Sequence, residues 1–501
     1  MPFRELIQNK VSVRMLWGIT LIVGVFLFIN TSQIVPNDFW WHMAYGREIV
    51  NTAHIPTVDV YSHTMAGQPY LSNQIFWLMD VWFYVWYSLG GPELVLFIHS
   101  LIITGTYLVI FILCWQNSRN WAATALSLFF AILLGIYTWN VRPQAISFLI
   151  GVIFLYAIYA YQRKPKFIWL LVFPFGMIVW VNSHGTYIIG IVLIGIWLFD
   201  EMWKIFAKRK FIGREAFKPL WAPAISFSLA IAVGLLNPLR FGIFSYLWTM
   251  LGNPINQQFI LEWAPPSFDS PIGSLFFPAL LFIALIFAVS PRRPNSFELI
   301  LFTVFSFLAI TTTRGVIWFA LFTAPVLAHH SGEIISQYSR KKTEIKTRGG
   351  FWWLNFAILC FLILLSVAVL PWFRKSLPLV NRSEKVISEE TPIQAVEYLL
   401  AKTSPGNLFN DMAFGSYLIW AAQPEYKVFV DPRVELYDPE IWYDYRIILR
   451  AEPGWDEKLE KYQVQTLMLD PIYQEPLILA LEESDLWNMI YKDDAALIFK
   501  K

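Results

Sequence analysis

"MLWGITLIVGVFLFINTSQIVPNDFWWHMAYGRE" occupies residues 15–48, and its reading decides the fold. Residues 15–35 are nearly unbroken apolar sequence, close to the ~20 residues that a helix needs to cross a bilayer. No small-residue cleavage site follows, so the segment reads as a retained span and not as a signal peptide. Directly after it, Asp38, His42, Arg47 and Glu48 stand among the paired Trp40 and Trp41. One reading is plain: Asp38 caps a helix that begins here while the tryptophans sit at headgroup level. The other is a chemical site at the membrane surface, because Asp38 and His42 are four residues apart and share a helix face.

The rest of the chain extends the first half of this pattern. Of 501 residues, 56% are hydrophobic and 15% charged, against about a quarter charged in a soluble protein, and the mean hydropathy is +0.49. The fold class is therefore mainly α, a polytopic transmembrane helical bundle of about eleven spans. These are expected near 15–35, 92–114, 121–139, 144–161, 167–181, 185–203, 219–236, 273–290, 297–312, 315–329 and 351–371. The stretch 74–89 is apolar but interrupted by Asp80, and reads as an interfacial helix with a true span as the alternative. Cys114 and Cys360 both lie in apolar runs, so packing explains them better than a disulfide or a metal.

Basic residues orient the bundle. With a cytoplasmic N-terminus, the segments expected inside hold twenty Lys and Arg, while those expected outside before the last span hold four: Arg47, Arg142, Arg240 and Arg314. The unusual polar groups then fall on the outer face: Asp38, His42, Asp59, Arg142 in "NVRPQ", His184 in "NSHG", Glu262 in "LEW" and Arg314 in "TTTRG". Sequence-distant groups gathered at one face are what a site assembled from loops requires.

The chain divides into a membrane domain, 1–372, with a first outer loop at 36–91, and a soluble domain, 373–501. In the second, "GNLFND" (406–411), "KVFVDPR" (427–433) and "QTLMLDP" (465–471) read as strands separated by helical patterns. The alternation predicts a small α/β domain with a largely parallel sheet, outside the membrane, whose contact edge carries Asp411, Asp431 and Arg433. Thr391 is expected to cap the helix that follows it, with Pro392 at its first position.

Each candidate has a chemical and a structural reading. Asp38 and Asp59, two carboxylates of one outer loop, can hold a divalent cation such as Mg or Mn, or one can take a proton while the other orients it; Asp59 is equally a turn residue after Pro56. Arg142 is a phosphate contact or a snorkelling anchor. Arg314 sits in a very short turn, where a fixed guanidinium suits a phosphate or pyrophosphate. His184 assists such a group or satisfies backbone carbonyls. Glu262 beside Trp263 matches the hydroxyls and apolar face of a sugar, or is a loop residue without a role. Phosphate-loop, dinucleotide, zinc-protease and serine-hydrolase motifs are absent, and the inner basic clusters fit anionic lipid better than nucleic acid.

"NDFWWHMAYGREIV" with "IPTVDVYSHTMAGQPY" resembles the first outer loop of bacterial GT-C glycosyltransferase-like membrane proteins, near the oligosaccharide-transferring and mannosyltransferase types. "VRPQ", "VNSHG", "LNPLRFG" and "TTTRGVIWFA" are similar further markers. The resemblance implies a membrane enzyme that takes sugar from a polyprenyl-phosphate donor at the outer face. The acceptor would be a glycan, lipid or protein, and an acidic loop residue, here Asp38, would act as base or metal ligand. Asn37-Asp38 replaces the paired acidic motif of well-studied members. Two rival readings are a lipid-linked glycan flippase or transporter, and a silent scaffold in which Asp38 and Asp59 diverge from the outer arginines.

Overall fold

The computed structural model describes residues 13–207, 214–252, 260–339, 352–374 and 385–501. The basic residues at Arg4, Lys10, 208–210 and 340–348 lie outside the described residues. The membrane part consists of α1 (Val13–Thr31), α2 (Phe39–Thr52), α3 (Asn73–Ser118), α4 (Trp121–Gly135), α5 (Gln144–Arg163), α6 (Phe167–Val181) and α7 (Tyr187–Ala207). It continues with α8 (Trp221–Gly234), α9 (Gly242–Gly252), α10 (Pro271–Val289), α11 (Ser296–Thr311), α12 (Gly315–Ser339) and α13 (Trp352–Ala368). Each of the eleven expected segments overlaps one of these helices, though α3 begins nineteen residues before its segment and α12 ends ten residues after its own. Five helical runs among the described residues, those of α3, α4, α5, α8 and α10, are long and apolar enough to cross a membrane.

α12 is buried on every side from Val316 to Ala328, as a helix apolar all round must be, and packs against α3, α4, α5, α10 and α11. Its N-terminal end follows the turn that carries Arg314. Gly315 is needed there, because a Cβ would lie 2.3 Å from the Leu308 carbonyl oxygen. The stretch 74–89 forms the first part of α3, which bends at Gly90 and Gly91 before Pro92 and continues to Ser118.

α2 lies directly on α3. A Cβ on Gly46 would stand 2.0 Å from the Asp80 carbonyl oxygen, so only glycine permits the approach. Gly46→Ala is expected to push the helices apart and lower stability by about 1–3 kcal/mol, read as an earlier thermal transition. An unchanged transition would contradict this packing.

The terminal segment contains α14 (Ile393–Lys402), β1 (Asn407–Asn410), α15 (Met412–Ala421), α16 (Pro439–Leu449), α17 (Trp455–Lys461), β2 (Val464–Leu469), α18 (Glu475–Glu482), β3 (Asn488–Lys492) and β4 (Leu497–Lys500). The sheet order is β1-β2-β4-β3, with β1 parallel to β2 and the other two pairings antiparallel. This corrects the largely parallel sheet expected from sequence. Residues 427–433 form no strand of that sheet: the Asn410 amide clamps Phe429 N–H and the Val430 carbonyl, both at 2.8 Å, and Val428 bridges to Ser62. The β3–β4 hairpin, turned by Asp493, was not foreseen. Nor does Thr391 cap α14; Pro392 takes the cap position and the Thr391 hydroxyl is buried without a partner.

The stretch from Trp41 to Tyr70 belongs to this terminal unit in space. Trp41, Ala44, Tyr45, Tyr61, Met65 and Tyr70 share one core with residues of 395–499. Ile34 pairs with residues 386–388, and the Trp41 amide donates to Ser416 Oγ at 3.1 Å. The division near residue 372 therefore does not coincide with the division between cores. Trp40 and Trp41 are buried at 1% and 4% exposure, so they are core residues and not headgroup anchors. Cys114 and Cys360 are free thiols.

Candidate active site

Five turns and the edge of the terminal unit line a cavity of about 410 Å³. Asp38, His42, Arg142, His184, Glu262 and Arg314 all line it, although up to 276 positions separate them in the chain. Each is held by its own local device. Asp38 precedes α2 but makes no side-chain cap bond. Its Oδ2 instead lies 3.0 Å from Arg142 Nε, an ion contact without hydrogen-bond alignment. Arg142 stands in the turn before α5 and reaches Glu262 Oε1 with Nη1 at 2.6 Å. Arg314 Nε donates to Glu262 Oε2 at 2.8 Å, its backbone N–H donates to the Glu262 carbonyl at 3.0 Å, and its guanidinium lies 5.2 Å from the Trp263 ring. The turn is further pinned by Thr313, whose N–H and hydroxyl both donate to the Ala264 carbonyl.

The polar chain therefore runs Asp38, Arg142, Glu262, Arg314 with alternating sign. Burial works against the charged Glu262 carboxylate, but the two guanidiniums overcome it and hold the group at about 2. Both histidines are neutral. Burial lowers His42 to about 3, with Asp38 opposing and Arg142 adding; burial lowers His184 to about 3, with Arg314 adding. His184 Nδ1 accepts the Thr186 N–H at 3.2 Å, which leaves its proton on Nε2 as a neutral donor. No change of charge at either histidine is expected between pH 5 and 8, and imidazole NMR titration there should show both flat. A midpoint near 6.5 for either would contradict its burial.

His42 does not pair with Asp38, as their spacing invited. It stacks on Trp41 at 3.5 Å and its Nδ1 meets Asp80 Oδ1 at 2.5 Å. Sequence reading noticed Asp80 only as an interruption; the approach of α2 at Gly46 makes it the buried partner. Asp59 does not line the cavity. It is fully buried, accepts from Tyr61 N–H, Ser62 N–H and Ser62 Oγ, and pairs with Arg433 Nη1 at 2.6 Å. Its acceptor positions are thus occupied, and the Asp38–Asp59 pair expected to hold Mg or Mn is not assembled. The two asparagines of "VNSHG" and "LNPLRFG" are staples: Asn237 Nδ2 donates to the Gln74 and Val181 carbonyls, and Trp77 Nε1 donates to Asn182 Oδ1.

Met412, Ala413, Arg433 and Glu435 bring the terminal unit to the cavity wall. Arg433 is buried beneath that wall, forked onto Asp431 at 2.8 and 2.6 Å, bonded to Tyr45 Oη at 2.6 Å and ringed by Tyr45, Tyr61 and Tyr70. Asp411 caps Ala413 N–H at 2.8 Å and accepts Gln474 Nε2 at 2.8 Å. Burial raises its carboxyl to about 6, the Ala413 bond opposing and Asp470 adding. A folded value above the unfolded one means stability present below about pH 4 and lost as pH rises through 6. Discounted for partial exposure, the loss is on the order of 1 kcal/mol. Asp411→Asn is expected to flatten the fall in melting temperature between pH 4.5 and 7.5; an identical fall in the variant would contradict this.

A second, apolar cleft of about 190 Å³ adjoins the cavity and shares Gln144, Glu262 and Arg314 with it. Phe148, Ile272, Ile317 and Trp318, from α5, α10 and α12, supply its walls.

No family model matches the sequence, and no curated protein matches it. Solved structures match along nearly the whole chain. The archaeal oligosaccharyltransferase AglB from Archaeoglobus fulgidus, in complex with an inhibitory peptide and a dolichol-phosphate, aligns over 94% of this chain and 72% of its own, with TM-score 0.53 and 11% identity. ArnT from Cupriavidus metallidurans in the apo state aligns over 96% of each chain, with TM-score 0.51 and 14% identity. The arabinofuranosyltransferase AftD from Mycobacteria aligns over 98% of this chain and 40% of its own, with TM-score 0.50 and 11% identity. At such identities the likeness defines the fold: this chain is a multi-pass membrane protein with the fold of GT-C glycosyltransferases.

Proposed function

We propose that the chain is a membrane glycosyltransferase that moves a sugar from a polyprenyl-phosphate donor to an acceptor at the outer face, with inversion. The observation that carries this reading is the convergence of Asp38, Arg142, Glu262 and Arg314 on one cavity, with an apolar cleft adjoining it that Glu262 and Arg314 also line. A lipid phosphate needs both parts, a fixed cation for the head and apolar walls for the chain. AglB, with its bound dolichol-phosphate, supports a lipid-linked donor in this fold. The scaffold reading has Asp38 and Asp59 both diverge from the outer arginines; Asp59 does, paired with Arg433 away from the cavity, but Asp38 stays 3.0 Å from Arg142 on the shared wall.

In the resting cavity Glu262 engages both guanidiniums. A donor phosphate offers the same paired oxygens, so binding exchanges one anion for the other at Arg314 and Arg142. His184 Nε2–H adds a neutral donor. Asp38 takes the proton of the acceptor hydroxyl; that oxygen attacks the anomeric carbon from the face opposite the phosphate; the carbon–phosphate oxygen bond breaks, and polyprenyl phosphate leaves. Charge develops on the departing phosphate in a low-dielectric site, where pre-oriented guanidiniums act most strongly. Glu262, released, faces the sugar beside Trp263. The reading uses Asp38 as a base, with no cation shared between it and Asp59.

The test is transfer by purified protein in bilayers from a panel of labelled polyprenyl-phosphate sugars, scored by release of polyprenyl phosphate. Wild-type rates in both Asp38→Ala and Arg314→Ala would remove the mechanism.

A further inference from the structure

We propose that Glu298, His329 and His330 form a binding site for a divalent transition-metal ion, with zinc as the natural probe, at the end of the α11–α12 pair remote from the cavity. One ligand atom from each residue lies within 4.8 Å of the others, and this is the only such group of three among the described residues. His329 Nδ1 stands 2.8 Å from Glu298 Oε1, and His330 Nε2 stands 3.5 Å from Glu298 Oε2. Bonds of about 2.0–2.1 Å from a tetrahedral zinc ion set its ligands about 3.4 Å apart, so the group closes around an ion by small side-chain adjustments.

The second observation is His330 itself. It is fully buried, its Nδ1 is engaged by Ser290 Oγ at 2.8 Å, and its Nε2 has no hydrogen-bond partner although it faces a carboxylate oxygen. A buried imidazole nitrogen and a carboxylate that face each other without a bond are reconciled by a cation between them. The hydroxyl on the opposite ring nitrogen is the outer support that orients a metal-ligating histidine. Glu298 is equally fixed: it is the third residue of a capping box with Asn295, whose N–H donates to Oε2 at 2.8 Å. Glu333, one turn beyond His329, lies 4.0 Å from its Nε2, the ring nitrogen turned away from Glu298, and so stands as an outer partner of that imidazole and not as a ligand. Two imidazoles and one carboxylate, with water in the fourth position, suit zinc better than magnesium or calcium.

His329 lies fifteen residues along α12 from Arg314, about 22 Å at helical rise. The ion therefore serves as a clamp on the helix pair whose opposite turn presents Arg314, and not as a participant in transfer.

The experiment uses full-length protein purified without a histidine tag, stripped with chelator, exposed to zinc and desalted. One zinc per chain is expected in wild type and in Asp38→Asn, near zero in Glu298→Gln and in the double variant His329→Ala/His330→Ala, with a zinc-dependent rise in melting temperature only where zinc is retained. Should the double variant fail to fold, His329→Gln, at a partly exposed position, is expected to lose at least tenfold in affinity against a competing chelator. Wild type that retains no zinc, or retention undiminished in Glu298→Gln and His329→Gln, overturns the proposal.

Discussion

Arg314→Ala is expected to lower the rate of sugar transfer by about 10²–10³-fold, the range seen when one pre-oriented group that stabilises developing charge is removed. The effect should fall on kcat at saturating donor as well as on KM, because the guanidinium meets more charge in the transition state than in the bound donor. Arg314→Lys should recover only part of it: the ammonium keeps the charge but lacks the planar set of N–H donors, of which Nε–H now meets Glu262. Asp38→Asn preserves shape and removes the base, for an expected loss of about 10²–10⁴-fold. Steady-state kinetics in bilayers separates the two. A loss confined to KM in Arg314→Ala would make it a binding residue only, and full activity in Asp38→Asn would move the base elsewhere.

Arg433→Leu is expected to destabilise the protein by about 3–5 kcal/mol, the cost of leaving buried carboxylates without their counter-ion. Arg433 is shared by Asp431 within the terminal unit and by Asp59 and Tyr45 of the first loop, all buried. Its removal strands two charges at the joint between the segments and lets the loop that carries Asp38 move. The expected signs are an earlier thermal transition and faster proteolysis within 53–72. The triple variant Arg433→Leu, Asp59→Leu, Asp431→Leu should recover stability, since a well-packed apolar replacement of the whole group carries no unpaired charge. A single variant as stable as wild type would show that the joint is held by the shared aromatic core alone.

Much of this architecture is legible in the sequence because lipid demands long apolar runs. The helices α4 to α8 and α10 to α12 lie where hydropathy marks apolar runs, whereas α9 falls between two marked segments; the turns that carry a lone arginine, histidine or glutamate converge because a bundle gathers its turns at one end. What escaped reading depended on partners far along the chain. Trp40 and Trp41 carry the local signature of interface anchors, yet Ser416, Tyr417 and Trp420 cover this stretch of α2 from almost 380 residues away. Asp59 looked like a second acid of the site until Arg433 was seen to claim it. Residues 427–433 have strand composition, but the amide of Asn410 occupies the backbone groups that a ladder would use. The Asp80–His42 contact follows from a glycine in α2 whose meaning appears only once α3 lies against it.

The central claim is that a polyprenyl phosphate sits with its head between Arg142 and Arg314 and its chain against α5, α10 and α12. A photoactivatable polyprenyl phosphate, with the reactive group in its first isoprene units, tests it most directly on the protein in bilayers. Labelling is expected on peptides containing Phe148, Ile272 or Trp318, competed by unlabelled lipid and reduced at least tenfold in Arg314→Ala. Labelling confined to other helices, or equal in wild type and Arg314→Ala, would contradict the account.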